Sequence, residues 1–334
     1  MVSNKQLSET QHEQQPLTVE QLNHGRRVFD FLKYGKPAFI ISMILVAASI
    51  IIVLVKGFNL GLDFTGGTSI EITLSKPVEL DLVRSKLQQA GYHDPIVQYY
   101  GSSHDIIIRL PPISGAEGNN IGTKLSNLMH QSIDEQSVVK RVEFVGPTVG
   151  AELAQDGILA ILAALVCILI YIGIRFEWRF GTGAVVALAH DVIITVGYLS
   201  LFQRELDLTI IAALLSVIGY SLNDTIVVFD RIRENFRKIR RASPYDIMNI
   251  SLTQTLSRTL MTSGTTLAVV MCLYIWGGSM LRGFSETLAI GILLGTISSI
   301  YVAAYMALKL GVNREHFMPP KIEAEGAEQD PIIR

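Results

Sequence analysis

Six apolar runs of about 18 residues or more recur along this 334-residue chain, over about 37–55, 153–174, 180–201, 208–229, 257–276 and 284–308. A helix of that length crosses the hydrocarbon core of a bilayer, where every backbone N–H and C=O must be satisfied within its own segment. The chain is therefore expected to be an all-α membrane protein with six spans. Charge agrees, since only 17% of the residues are charged, against about 25% in soluble domains. The first run is too long for the core of a cleaved signal peptide and reads as a retained anchor. A net charge of −2 gives no footprint for nucleic acid. Cys167 and Cys272 lie far apart inside apolar runs, so no disulfide framework is inferred.

Orientation follows from Lys and Arg. Arg26, Arg27, Lys33 and Lys36 precede the first span, Arg175 and Arg179 separate the second and third, and "RIRENFRKIRR" follows the fourth. Both termini are expected on the cytoplasmic side. The reading divides the chain into a polar cytoplasmic leader (1–36), span one (37–56), an outer head (57–150), spans two to six (151–310) and a disordered cytoplasmic tail (311–334). A basic cytoplasmic loop (230–256) joins spans four and five. Within the head, "TSIEITL", "PIVQYY", "HDIIIRL" and "VVKRVEF" have strand character, while "VELDLVRSKLQQAG" and "NNIGTKLSNLMHQSIDE" have helical spacing. The order β-α-β-β-α-β predicts an α+β, ferredoxin-like domain inserted between spans one and two. It shows no His/Cys ligand cluster and no phosphate loop, so no metal or cofactor is expected.

The costly residues are the polar ones inside spans. Asp224 in "SLND" lies about 16 residues from the outer end of span four, and Arg258 about 18 from that of span five, depths of roughly 24 and 27 Å. They are expected to pair, with low dielectric and a neighbouring cation acting in opposite senses on the carboxylate; alternatively Arg258 snorkels to the surface. Asn223 adjoins Asp224. Thr262, Thr265 and Thr266 read as a hydrophilic lining or as hydroxyls bonded to their own helix. His190 and Asp191 in span three form a relay or join helices. Thr287, Gly291, Gly295, Ser299, Ala303 and Ala307 recur every four residues in span six, a small-residue stripe for close helix packing. In "GLDFTGG", Gly66 and Gly67 permit a tight turn whose backbone Asp63 can bond.

"GLDFTGG", "FVGPTVGAEL", "GYSLNDTIVVFDRIRENFRKIRR" and "SLTQTLSRTLMTSGTTL", in this order and over nearly the whole chain, resemble the SecD/SecF protein-export family of the resistance–nodulation–division superfamily. That resemblance implies that the six spans are half of a two-half core, that a SecD chain supplies the other half, and that the head is periplasmic. It implies a location in the bacterial inner membrane and a role at the SecYEG channel, where proton conduction helps the translocating preprotein move. It also places the family's intramembrane acidic and basic positions on Asp224 and Arg258. The leader is its least family-like part.

The leading reading is a proton-driven auxiliary subunit of export, a transport component and not an enzyme. The alternative is a scaffold for SecD and the channel, with polar residues serving assembly alone. An intramembrane aspartyl protease would need Asp191 and Asp224 to share a proton, but "SLND" lacks the Gly-x-Gly-Asp such enzymes show and Arg258 opposes sharing. A small-molecule exporter is disfavoured because a head of about 90 residues leaves little room for a pocket.

Overall fold

Helix-forming apolar stretches account for most of the molecule, and a computed structural model describes residues 18–100, 102–112 and 121–317. In chain order they form α1 (Val19–Leu22), α2 (Gly35–Lys56), β1 (Asn59–Leu60), α3 (Leu62–Thr65), β2 (Gly67–Thr73), α4 (Leu80–Gln89), β3 (Ile96–Tyr100), β4 (Ser102–Leu110), α5 (Ile121–Ser132) and β5 (Val138–Val145). There follow α6 (Pro147–Arg175), α7 (Trp178–Leu201), β6 (Glu205–Leu206), α8 (Leu208–Lys238), α9 (Pro244–Trp276), α10 (Gly278–Ser298) and α11 (Ala304–Lys309). A π turn at Ser299–Ala303 runs α10 into α11, so together they make the sixth long helix.

Six helices are long and apolar enough to cross a membrane. Half of the apolar stretch of α7 and of α8 is buried, and 61% of that of the sixth helix, against 11% for α2 and α6 and 17% for α9. The centre of the bundle is thus α7, α8 and α10. Small residues bring these helices together. A Cβ on Gly291 would lie 2.1 Å from Val217 Cγ2, and one on Gly295 3.1 Å from Ser221 Cβ. Ser299 is fully buried on the same stripe, its hydroxyl donating to the Thr296 carbonyl. Packing is what the stripe does.

Between α2 and α6 the chain forms a four-stranded antiparallel sheet in the order β3-β4-β2-β5. Ile70 lies opposite Ile108 on one side and Val142 on the other. Ile70, Ile72, Ile106 and Ile108 pack against Val83 and Leu87 of α4 and Leu125 and Met129 of α5, all eight almost fully buried. Each such burial contributes about 1.5–3 kcal/mol, enough for the insert to hold a core of its own. The start of its second helical stretch, Asn119–Asn120, lies outside the described residues.

Two expectations are corrected, the loop at 230–256 and the start of the disordered tail. The basic segment 230–256 is not a loop. Helix α8 continues to Lys238, and α9 starts at Pro244, where Ser243 accepts from the Asp246 N–H as N-cap. Ile232 and Phe236 bury against Ile247, Met248 and Leu252, and that apolar face stabilises helix where charge alone suggested a loop. The described part of the leader, residues 18–34, packs on the bundle. Its backbone docks on α9, with Phe29 N–H donating to Thr253 Oγ1 (3.1 Å) and Leu32 N–H to Asn249 Oδ1 (3.1 Å). The tail is ordered through residue 317, because Phe317 stacks between Phe180 and Phe236. Residues 1–17 of the leader and 318–334 of the tail lie outside the described residues.

Candidate functional site

Asp224 sits on α8 facing into the bundle and is 2% exposed. Its partner is a hydroxyl. Ser263 of α9 donates to Asp224 Oδ2 at 3.2 Å, and Thr296 of α10 donates to Ser263 Oγ at 2.8 Å. Three helices therefore meet around this carboxylate through a short hydroxyl chain.

Arg258 is not in contact with it. The guanidinium belongs to the exposed face of α9, and no ion pair joins it to Asp224 among the described residues. Five residues separate Arg258 from Ser263, about 140° round a helix of 3.6 residues per turn. When Ser263 faces Asp224, Arg258 must point away. The depths estimated from sequence were compatible with pairing, but depth does not fix direction around the axis.

Of the two readings of the threonines, the bonds are those of hydroxyls serving their own helix and not of a lining. Thr262, Thr265 and Thr266 donate back to carbonyls of their own helix, at Arg258 and Thr259, at Met261 and Thr262, and at Thr262 respectively. Thr265 is exposed, as is Asn223 on α8, so neither lines the buried carboxylate. The hydroxyls that do so, Ser263 and Thr296, were missed. Their signal was present in the helical spacing, since Ser263 continues the period-four series Ser251, Thr255, Thr259.

A second buried carboxylate lies on α7. Asp191 is fully buried; Ser221 Oγ of α8 donates to its Oδ2 at 2.5 Å and Ser298 Oγ of α10 at 2.7 Å. His190 Nδ1 lies 2.8 Å from Oδ1, while its Nε2 is buried with no hydrogen-bond partner among the described residues. Oδ2 thus joins the three central helices through Ser221 and Ser298, while Oδ1 faces the neighbouring His190 of its own helix.

The "GLDFTGG" turn makes the head-side junction. Gly66 and Gly67 have φ of 66° and 120°, a region that L residues avoid. A Cβ on Gly67 would meet Leu110 O at 2.3 Å. Asp63 does not bond its own turn as the sequence suggested. Its Oδ2 accepts from Leu208 N–H at 3.0 Å, one of the orphan donors at the start of α8. Beside it β1 pairs in parallel with β6, and Arg109 of β4 reaches Glu205 of β6 at 2.6 Å. Burial pushes the Glu205 carboxyl above its ordinary range, Arg109 opposing the shift.

The comparisons agree with this architecture. Residues 125–313 match the family model described as protein export membrane protein SecD/SecF, C-terminal, and residues 51–78 match the SecD/SecF GG motif. The chain is 60% identical over 320 residues to a protein translocase subunit SecF from Escherichia coli O157:H7, covering 96% of this chain and 99% of that one. Against the Vibrio alginolyticus protein of the same description the identity is 53% over 310 residues, covering 93% and 98%. Among solved structures, the crystal structure of Thermus thermophilus SecDF, described as a translocon-associated membrane protein, superposes with a TM-score of 0.78 at 37% identity. A SecDF in a super-membrane-facing form gives 0.63 at the same identity. In each case the match covers 85% of this chain and 39% of the SecDF chain.

Proposed function

The chain belongs to the SecD/SecF protein-export family, and on that premise we propose that it is an auxiliary subunit of Sec-dependent export that uses the proton-motive force. It acts with SecD at the SecYEG channel to promote preprotein movement across the bacterial inner membrane. The observation that carries the proton reading is Asp224. A carboxylate at this depth costs roughly 2.5–3.5 kcal/mol on insertion scales, and here it has a hydroxyl contact and, among the described residues, no cation in contact. Such a group takes up and releases a proton more readily than one locked in an ion pair. Each charge crossing the field supplies about 2.3 kcal/mol per 100 mV.

The basic ends of α8 and α9 lie in the cytoplasm, and the head, a ferredoxin-like insert, lies in the periplasm. Helix α9 supports the SecD assignment, because its exposed face combines Leu260 and Met261 with Arg258. A guanidinium at that depth needs a protein or water-filled surface opposite it. In our reading a second six-helix half covers it. His190 and Asp191 take the joining role.

Asp224→Asn tests the proposal. Proton-dependent export should be lost while protein level and SecD association persist, and Asp224→Glu should keep part of the activity. The scaffold reading draws on the fully engaged Asp191. Unaltered export in Asp224→Asn would establish it and end the motor reading.

A further inference from the structure

Four hydroxyls lie every fourth residue on one face of α9, namely Ser251, Thr255, Thr259 and Ser263, and all four are buried, at 0%, 5%, 2% and 7% exposure. Ser263 touches Asp224. At the other end Ser251 accepts from Asn235 Nδ2 of α8 at 2.8 Å, and the same amide donates to Gln254 Oε1. Gln254 in turn donates to Asn23 of the ordered leader. The stripe therefore runs from the mid-bundle carboxylate to a polar cap at the basic end, about 18 Å along the helix.

A series of hydroxyls on a helix commonly serves only its own backbone, and Ser251 and Thr255 do donate to carbonyls one turn back. Thr259 breaks that pattern. Its Oγ1 is buried and has no hydrogen-bond partner among the described residues, while the Thr259 carbonyl is used by Thr262. A buried hydroxyl left unmatched costs about 1–3 kcal/mol, and water is the usual means of satisfying one. Successive hydroxyls stand about 6 Å apart along the axis, beyond the roughly 4.5–5.5 Å that two hydrogen bonds through one water span, so a pair of waters bridges each gap.

We propose that Ser263, Thr259, Thr255 and Ser251 form a water-bridged hydroxyl ladder that carries protons between Asp224 and the basic end of the bundle. It rests on the reading of Asp224 as the proton-binding group and names the limb that serves it. One proton leaves the Asp224 carboxyl, each hydroxyl passes one on as it receives one, and one proton emerges beside Asn235. No hydroxyl changes its net state.

The test uses the full chain with its SecD partner in proteoliposomes under an imposed proton gradient, with a pH-sensitive dye inside. Thr259→Val keeps the side-chain shape and removes the hydroxyl; Thr259→Ser keeps the hydroxyl and removes a methyl. A packing role predicts that Val is the milder change. The ladder predicts the reverse, with Val lowering proton flux about tenfold and Ser staying within about twofold, a difference of about 1 kcal/mol in barrier. Thr255→Val should act like Thr259→Val and serves if that variant assembles poorly. Wild-type flux in the Val variants, or equal loss in Thr259→Ser, would overturn the ladder while leaving Asp224 in place. Wild-type flux in Asp224→Asn would remove the reading beneath it.

Discussion

At the scale of single residues, two glycine classes behave oppositely. Gly67 holds a φ of 120° with Leu110 O 2.3 Å from where a Cβ would be. Gly173 lies in α6 with nothing within 4 Å of its added Cβ. Gly67→Ala must therefore strain the backbone and displace β4, costing roughly 1–3 kcal/mol. Gly173→Ala removes only helix-interior flexibility and should stabilise by up to about 1 kcal/mol. Thermal melts of the detergent-purified protein check this, and a Gly67→Ala midpoint equal to that of the parent would refute it. Residue identity was easy to read in advance at such positions, because "GLDFTGG" announces a turn. Residue direction was not. Asp224 was found from its cost in lipid alone, but polar residues lie on several sides of α9, Arg258 and the Thr262–Thr266 group competing with the period-four series that ends at Ser263, so spacing alone did not single out the side that turns toward α8.

Helix ends tell a similar story at the scale of elements. Helix α8 starts under two carboxylates: Asp207 caps it by accepting from Ile210 N–H at 2.8 Å, and Asp63 accepts from Leu208 N–H. Negative charge at a helix N-terminus is favourable, so Asp63 fastens the base of the head to the helix that carries Asp224. Asp63→Ala should cost about 0.5–2 kcal/mol locally, as cap removals do, while Asp63→Asn retains an oxygen acceptor and most of the stability. Hydrogen exchange at Leu208–Ile211 should accelerate in Ala and much less in Asn; unchanged exchange in Ala would show the contact to be incidental. The strand and helix order of the head was legible because alternation and 3.6-residue spacing are local signals. The helical course of 230–256 was obscured by its Arg and Lys, although "SP" at Ser243–Pro244 is a helix-start signal. Contacts such as Asp63 to Leu208, 145 residues apart, leave no local trace.

For the whole molecule, the head and the central helices are joined at one side by a pinned base. Helix α3 lies against α6, where a Cβ on Gly150 would fall 3.0 Å from Gly66 N, so these glycines serve close contact and not free hinging. The Arg109–Glu205 pair lies beside that base, where Glu205 packs on Gly61, and ties β4 to the segment between α7 and α8. If proton movement at Asp224 shifts α8, the strain reaches the head through Asp63, and the head turns about α3 only when Arg109 and Glu205 separate. Desolvation already weighs against the Glu205 carboxylate, so the pair is a modest restraint that such a turn can break. Cysteines at 109 and 205 joined by a short, reducible bifunctional cross-linker should hold the head down. Inverted vesicles carrying the bridged pair should lose proton-dependent export, and a reductant should restore it to the level of the unbridged double variant. Export by the bridged protein at the unbridged rate would mean that the head transmits no motion and that the coupling runs through the helices alone.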